Sequence, residues 1–481
     1  MVPPRTKLVC TIGPASVGRM RELIDAGMNV ARINFSHGTP EEQRVAIQAV
    51  RAAAREARRT VAVLADLPGH KIRLGRLPDD RLTLQTGKTF ELRPATAVAD
   101  DAAPAPAVDV TTGASTSRDD LAAILQPGDR VLLADGAVEL RVMGSEQHVV
   151  QTMIVHGGVI RTRSGVNVPS HRLTGDALTD EDRAAVPRAL EMRADMLAQS
   201  FVRTAADVEA LRALLPADGP PIVAKIETRQ AVENFDEIAG AADGVMVARG
   251  DLGVDLPFQD VPMVQKRLIE VARRRGAFSI VATQMLESMT IAARPTRAEV
   301  SDVANAVLDG ADAVMLSAET AIGDHPVEAA VAMTAICVAT ERDGADDLPS
   351  ASLPPVADHP QAIVHAARAL TDAYPRARAI WCFTRSGRTA EMLSLLRPGL
   401  PIVAFTSGPV PARRLTVRNA VIPLVLGTNR TGEPLIKRME QAARAQELVP
   451  RDEQMSVVLV TTTPEPGGVN RLELHELNEV T

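Results

Sequence analysis

Eight short apolar runs, each followed by a helix-length stretch of mixed polarity, constrain this chain more than any other feature. They fall at 7–12, 30–33, 61–66, 196–199, 222–226, 245–248, 279–283 and 313–317. Continuous apolar runs of this length suit strands buried on both faces, and intervening helices make their sheet parallel. Eight such units are the arithmetic of a (β/α)₈ TIM barrel, whose active sites lie at the carboxyl ends of the strands. Helix punctuation supports the reading. Gly27 closes a helix from Met20, Pro40 opens one reaching Arg59, and Thr179 caps the helix after the fourth gap. Thr296 and Glu299 form a capping box ahead of Val300, Val303, Ala304, Val307 and Leu308 at helical spacing.

The alternation breaks between the third and fourth runs. From Gly69 to Pro169 the residues turn β-rich, with strands at Arg81–Leu84, Arg130–Leu133, Glu139–Val142 and Val149–Ile154, and an Ala/Pro/Asp-rich loop at 95–107. An all-β domain is thus inserted between a strand and its helix. A linker at 343–360 leads to a C-terminal α/β domain with strands at 379–383, 402–406 and 456–461. The expected division is 1–69 with 170–342 for the barrel, 70–169 for the insert and 355–481 for the last domain.

Polar residues collect at the ends of the barrel runs: Arg32, Asn34, Ser36, Asp66, Lys225, Glu227, Asp251 and Thr283, with Arg73 just beyond. Strand alternation puts Lys225 and Glu227 on one face. Two carboxylates, Glu227 and Asp251, at adjacent strand ends suit Mg²⁺ or Mn²⁺, which take oxygen ligands. Arg32 and Arg73 suit phosphate, and backbone N–H groups after Gly250, where a short helix is expected to begin at Asp251, suit a carboxylate. A small anion bearing carboxylate and phosphate, activated by a divalent cation, points to phosphoryl transfer. A surface ion pair beside a turn is the plain alternative for Lys225 and its neighbours. In the last domain Thr384, Arg385, Ser386, Gly387, Arg388 and Thr389 join a strand to a helix; they suit a phosphate or an ordinary capped turn equally.

Composition narrows the partners. The formal charge of −7 and 2% aromatic content exclude a general polyanion binder and base stacking, so no nucleic acid is expected. Cys10, Cys337 and Cys382 are far apart and outside any metal spacing, which suits reduced thiols in a cytoplasmic protein. No apolar stretch is long enough for a bilayer, and the first residues do not resemble a signal peptide.

The motifs resemble those of pyruvate kinase in order and spacing. They run from Arg32-Ile33-Asn34-Phe35-Ser36-His37-Gly38 through Ala224-Lys225-Ile226-Glu227 to Val247-Ala248-Arg249-Gly250-Asp251-Leu252-Gly253. Ala282-Thr283-Gln284-Met285-Leu286-Glu287-Ser288-Met289, Pro295 to Val307 and Met315 to Ala321 continue the match. The resemblance implies transfer of phosphate from phosphoenolpyruvate to ADP, with Glu227 and Asp251 on the metal. It implies Lys225 on the transferred group, Thr283 near the protonated carbon, Arg32 and Arg73 on phosphate, and Pro14, Asn34, His37 and Arg73 near nucleotide. The insert would be a lid, and a homotetramer and a sugar-phosphate effector bound at 384–389 would be expected.

Departures from the family pattern carry information. After Asp66 the residues are Leu67-Pro68-Gly69-His70-Lys71-Ile72-Arg73, with Lys71 where potassium-dependent members have glutamate. An ammonium beside Asp66 can stand in for K⁺ in a site otherwise made by Asn34, Ser36, Asp66 and Leu67, so K⁺ independence is expected. Ser164 and Ile322 replace lysines found in other members, and 464–470 is an altered form of a Gly-rich closing loop. Two rival readings remain. A pyruvate-type aldolase or lyase would need no Arg32, Arg73 or nucleotide lid, and a silent sugar-phosphate sensor would not need Lys225, Glu227, Asp251 and Thr283.

Overall fold

The computed structural model describes residues 3–94, 113–134, 136–173, 175–344, 358–427, 434–449, 455–461 and 470–477. The loop expected at 95–107, most of the linker and nearly all of the altered closing loop lie outside these residues. Eight parallel strands close a barrel: β1 (Lys7–Thr11), β2 (Met28–Asn34), β3 (Ala62–Asp66), β4 (Met196–Gln199), β5 (Ile222–Ile226), β6 (Gly244–Ala248), β7 (Phe278–Ala282) and β8 (Ala313–Leu316). Each pairs with its sequence neighbours, and β8 pairs with β1 through Lys7–Ala313 to Cys10–Leu316. The TIM-barrel expectation holds, with strand ends shifted by a residue or two. Thr283 and Ser317 fall just past their strands instead of ending them.

The helices form where capping chemistry starts them. Thr39, Thr179 and Thr296 each accept a bond from the backbone N–H three residues on, while Glu42, Asp182 and Glu299 bond back. In Arg297–Leu308 the buried side chains are Val303, Ala306 and Val307. Val300 is exposed and Leu308 only partly buried, because the helix is rotated toward Pro326–Asp343 and away from the stripe expected.

Between β3 and the helix Asp180–Glu191 sits the insert, a seven-stranded sheet with a separate two-stranded pair, Gly158–Arg161 against Arg81–Leu84. Its own core includes Phe90, Leu92, Leu140 and Ile160. Both chain crossings are pinned to the barrel. The Gly69 N–H donates to Asp182 Oδ1, and the Ser170 hydroxyl donates to Asp255 Oδ2 at 2.6 Å.

The C-terminal domain is a five-stranded sheet flanked by helices: Val421–Val425, Ile402–Thr406, Ala377–Thr384, Met455–Thr461 and Arg471–Leu477, in that order. Two of these strands were not expected. Val421–Val425 contains Pro423, which lacks a donor and is tolerated here because the strand is at the sheet edge. Among the described residues Arg471–Leu477 is the only antiparallel member, on the opposite edge.

This domain seals the floor of the barrel. Val417 lies in the cluster that fills the barrel interior with Val9, Val30, Leu64, Met246, Phe278 and Met315. Arg418 stacks its guanidinium 4.9 Å from the Phe278 ring centroid and donates to the Gly276 carbonyl.

Candidate active site

At the carboxyl end of the barrel, β5 presents Lys225, whose side chain is 12% exposed. The Nζ lies 2.9 Å from Glu227 Oε1, 3.4 Å from Asp66 Oδ1 and 2.8 Å from Ser200 Oγ. Burial opposes its charge, but Asp66 and Glu227 outweigh it and raise its pKa above the usual lysine value. Asp66 ends β3 and holds Arg32 of β2 by two contacts to Oδ2 of 2.7 and 2.6 Å. Arg32 also donates to Thr11 Oγ1 on β1. Despite burial, Lys225 and Arg32 hold the Asp66 carboxyl below its usual range. Its Oδ1 is buried without a hydrogen-bond partner in the structure, facing only the lysine charge.

Glu227 is 2% exposed. Its Oε2 accepts the Phe201 N–H at 2.6 Å, from a residue with φ of 54°. Burial and the charge of Asp251 raise its pKa, with Lys225 and the Phe201 N–H pulling the other way. A second cation held by both acids would relieve that repulsion. The donor set is therefore compatible with Mg²⁺, which keeps waters or substrate oxygens in its remaining positions. Among the described residues no group of three or more His, Cys, Asp or Glu is arranged to hold a metal.

The helix expected to begin at Asp251 begins at Arg249 and runs to Asp255. Arg249 fixes the turn beneath it, reaching Asp302 Oδ1 at 2.7 Å and the Thr283 carbonyl at 2.8 Å. The Gly250 N–H, expected to face a carboxylate, donates to Thr283 Oγ1 at 2.7 Å. Thr283 has φ of 70°, a conformation β-branched residues rarely adopt. Its hydroxyl donates to the Ala282 carbonyl at 2.6 Å, which offsets part of the strain. Hydroxyl, Gly250 and Asp251 are thereby gathered at one place.

Lys71 was expected beside Asp66. Its ammonium instead lies 3.5 Å from Asp251 Oδ1, because Asp66 is already taken by Arg32 and Lys225. Of the other residues in that group, Asn34 Oδ1 accepts the Ser36 N–H and the Leu67 carbonyl accepts the Ser200 hydroxyl. Arg73 belongs to the insert, on the strand Ile72–Arg73, so it approaches the mouth from the lid side. Pro14 and His37 are exposed at the rim. Burial, then the charges of Arg73, Arg32, Arg163 and Lys71, lower the His37 pKa. Ser164 accepts the Arg161 N–H, and Ile322 is 69% exposed.

Far from the mouth, Gly387 takes φ of 106° at the start of the helix Arg388–Leu395 and donates its N–H to Thr384 Oγ1. Arg385, Ser386 and Arg388 are exposed and Thr389 is buried. Arg388 lies 3.3 Å from Asp358.

Thr11, Ser200 and Phe201 have no motif of their own; only the closed barrel brings them to Arg32, Lys225 and Glu227. Strand adjacency was the available signal, since Thr11 ends β1 and Ser200 follows β4.

Comparison with known proteins agrees with this arrangement. The family model of the pyruvate kinase barrel domain matches residues 3–330, and that of the pyruvate kinase alpha/beta domain matches 361–475. A pyruvate kinase of Mycobacterium tuberculosis is 38% identical over 99% of both chains. One of Corynebacterium efficiens is 38% identical over 99% of this chain and 98% of its own. One of Geobacillus stearothermophilus is 38% identical over 99% of this chain and 81% of its own. With a lysine–carboxylate cluster at the barrel mouth, an inserted β-domain beside it and matches that run the length of the chain, the protein belongs to the pyruvate kinase family of phosphotransferases.

Proposed function

We propose that the barrel mouth transfers the phosphoryl group of phosphoenolpyruvate to ADP, giving pyruvate and ATP. The observation that carries this reading is the convergence of Arg32, Asp66, Lys225, Glu227, Asp251 and Thr283 from five different barrel segments on one rim. Glu227 and Asp251 would hold Mg²⁺ or Mn²⁺, whose bound charge neutralises substrate oxygens. Lys225, kept charged by Asp66 and Glu227, sits where negative charge moves during transfer. Arg32, oriented by Asp66 and Thr11, and Arg73 from the lid side grip phosphate. Backbone donors at Gly250 and Asp251 hold the substrate carboxylate once Thr283 releases the Gly250 N–H. The freed Thr283 hydroxyl then passes a proton, through water, to the methylene carbon.

Pro14, Asn34, His37 and Arg73 face the nucleotide, and a neutral His37 avoids adding repulsion to an already cationic rim. Closure of the insert excludes water before transfer. In this reading the chain divides into 1–69 with 170–342, 70–169 and 355–481, acts as a homotetramer in the cytoplasm, and takes a sugar phosphate at 384–389. Arg388→Ala would abolish that activation; an unchanged activator response would remove the loop from the scheme.

Lys71 brings a fixed positive charge into the mouth through Asp251, and activity without K⁺ follows. An assay with phosphoenolpyruvate, ADP and Mg²⁺, coupled to pyruvate reduction, tests both points. Turnover of Glu227→Gln at the parent rate overturns the metal assignment. Loss of most activity in tetramethylammonium, restored by KCl, overturns the role of Lys71.

A further inference from the structure

On the opposite end of the barrel, a cavity of about 290 Å³ opens between the start of β1, the end of the helix Pro326–Asp343 and the C-terminal domain. Its walls are apolar at Pro4, Val338, Pro401 and Ile422. Its charged lining is Arg5, Lys7, Glu341 and Arg342.

Lys7 is the feature without an explanation. It is 3% exposed, and its ammonium makes no hydrogen bond or ion pair with any described residue. The neighbouring acids are committed elsewhere. Glu341 accepts the Thr6 N–H on one oxygen at 2.6 Å and the Arg5 N–H on the other at 2.8 Å. Asp312 is taken by Arg397 at 2.9 Å, the Asn419 N–H and Ser279. The other cations are engaged as well. Arg5 donates to the Gly399 and Glu341 carbonyls, and Arg342 pairs with Asp343. Burial draws the Lys7 amine down to about 8, with Glu341 and Asp312 opposing at longer range. An ammonium kept this way disfavours folding unless something in the cavity accepts its protons.

We propose that this cavity binds a small carboxylate with a short apolar body, its carboxylate on Lys7 and its chain against Val338, Pro401 and Ile422. One uncommitted ammonium matches one carboxylate. A phosphate would need further donors, and the cavity lies at the lower limit of small-molecule sites. The walls come from both barrel and C-terminal domain, already joined by the Ala420 N–H to the Arg5 carbonyl. An occupant therefore stabilises the junction by mass action.

Calorimetric titration and thermal melts of the full chain with butyrate, benzoate and inorganic phosphate test this. The parent should bind a carboxylate saturably with a rise in Tm. Lys7→Met should weaken that binding tenfold or more, and Lys7→Arg should restore part of it. Val338→Trp, which fills the cavity and leaves Lys7 in place, should also abolish binding while leaving turnover unchanged; it decides the matter should Lys7→Met not fold. Carboxylate bound at the barrel mouth is untouched by either change and is subtracted. Equal binding in parent and variants, no saturable binding of either carboxylate, or Lys7-dependent binding of phosphate in preference to them overturns the proposal.

Discussion

Both ends of the barrel bury carboxylates against arginine, yet the two ends are built for opposite purposes. On the floor, Asp312 accepts from Arg397, Asn419 and Ser279, and Asp195 accepts from Arg413, Arg51 and the Val63 N–H. Each of those four oxygens accepts at least one hydrogen bond. At the mouth, Asp66 Oδ1 faces an ammonium without a hydrogen bond, Glu227 is crowded by Asp251, and Phe201 and Thr283 sit at positive φ. The same residue types thus make a sealed joint in one place and a loosely compensated site in another. What differs is whether the buried carboxylate has every oxygen hydrogen-bonded, as Asp312 does, or keeps one without a partner, as Asp66 does. On the floor, Val417 and Arg418 plug the barrel centre, and the cavity beside Lys7 lies at its edge.

Four measurements bear on that contrast. The largest effect should come from Lys225→Met, which leaves the fold intact and lowers kcat by about 10³, the order found when a preorganised charge-stabilising group is removed. Turnover near the parent value would dissolve the distinction between the ends. Next is Asp312→Ala at the floor. It strands Arg397 and the Ser279 and Asn419 N–H groups, and should destabilise by roughly 3–5 kcal/mol in urea unfolding, with kcat of the folded fraction unchanged.

The acid side provides the third. Despite burial, Arg397 holds the Asp312 carboxyl below its usual range. A depressed carboxylate contributes stability that is complete above its unfolded pKa of about 3.9 and disappears as pH falls toward the folded value. The gap in urea midpoint between parent and Asp312→Asn should therefore be constant above about pH 5 and close below pH 4. A gap that widens with acid would show the charge to be unfavourable. The smallest effect is expected from Val417→Ala, about 2 kcal/mol of stability through lost apolar burial and a cavity beneath the barrel. A loss under about 0.5 kcal/mol would mean that the plug is not packed as the structure has it.

The barrel was legible because its strands are continuous apolar runs bounded by caps and glycines, and such runs need no partner to be recognised. Lys225 and Glu227 were legible from strand alternation, and the approach of Asp251 to Glu227 from their adjacent strand ends. Val421–Val425 was missed because Pro423 argues against a strand unless its edge position is known. For Lys71, sequence gives nearness to Asp66 but does not reveal that Arg32 and Lys225 hold that aspartate or that the lysine lies against Asp251. Ser200, Thr11 and Phe201 carry no local pattern at all.

Periodicity, caps and motif order, which are properties of neighbouring residues, determined by themselves that this chain makes eight parallel strands, an inserted β-domain and a polar rim of lysine, acids and hydroxyls. Only the tertiary structure decided which acid meets which cation, that the C-terminal domain closes the barrel floor, and that Lys7 is left facing a cavity. Those outcomes depend on distances between residues far apart in the chain. Charges have no periodicity to read, so their partners are chosen only when the barrel closes.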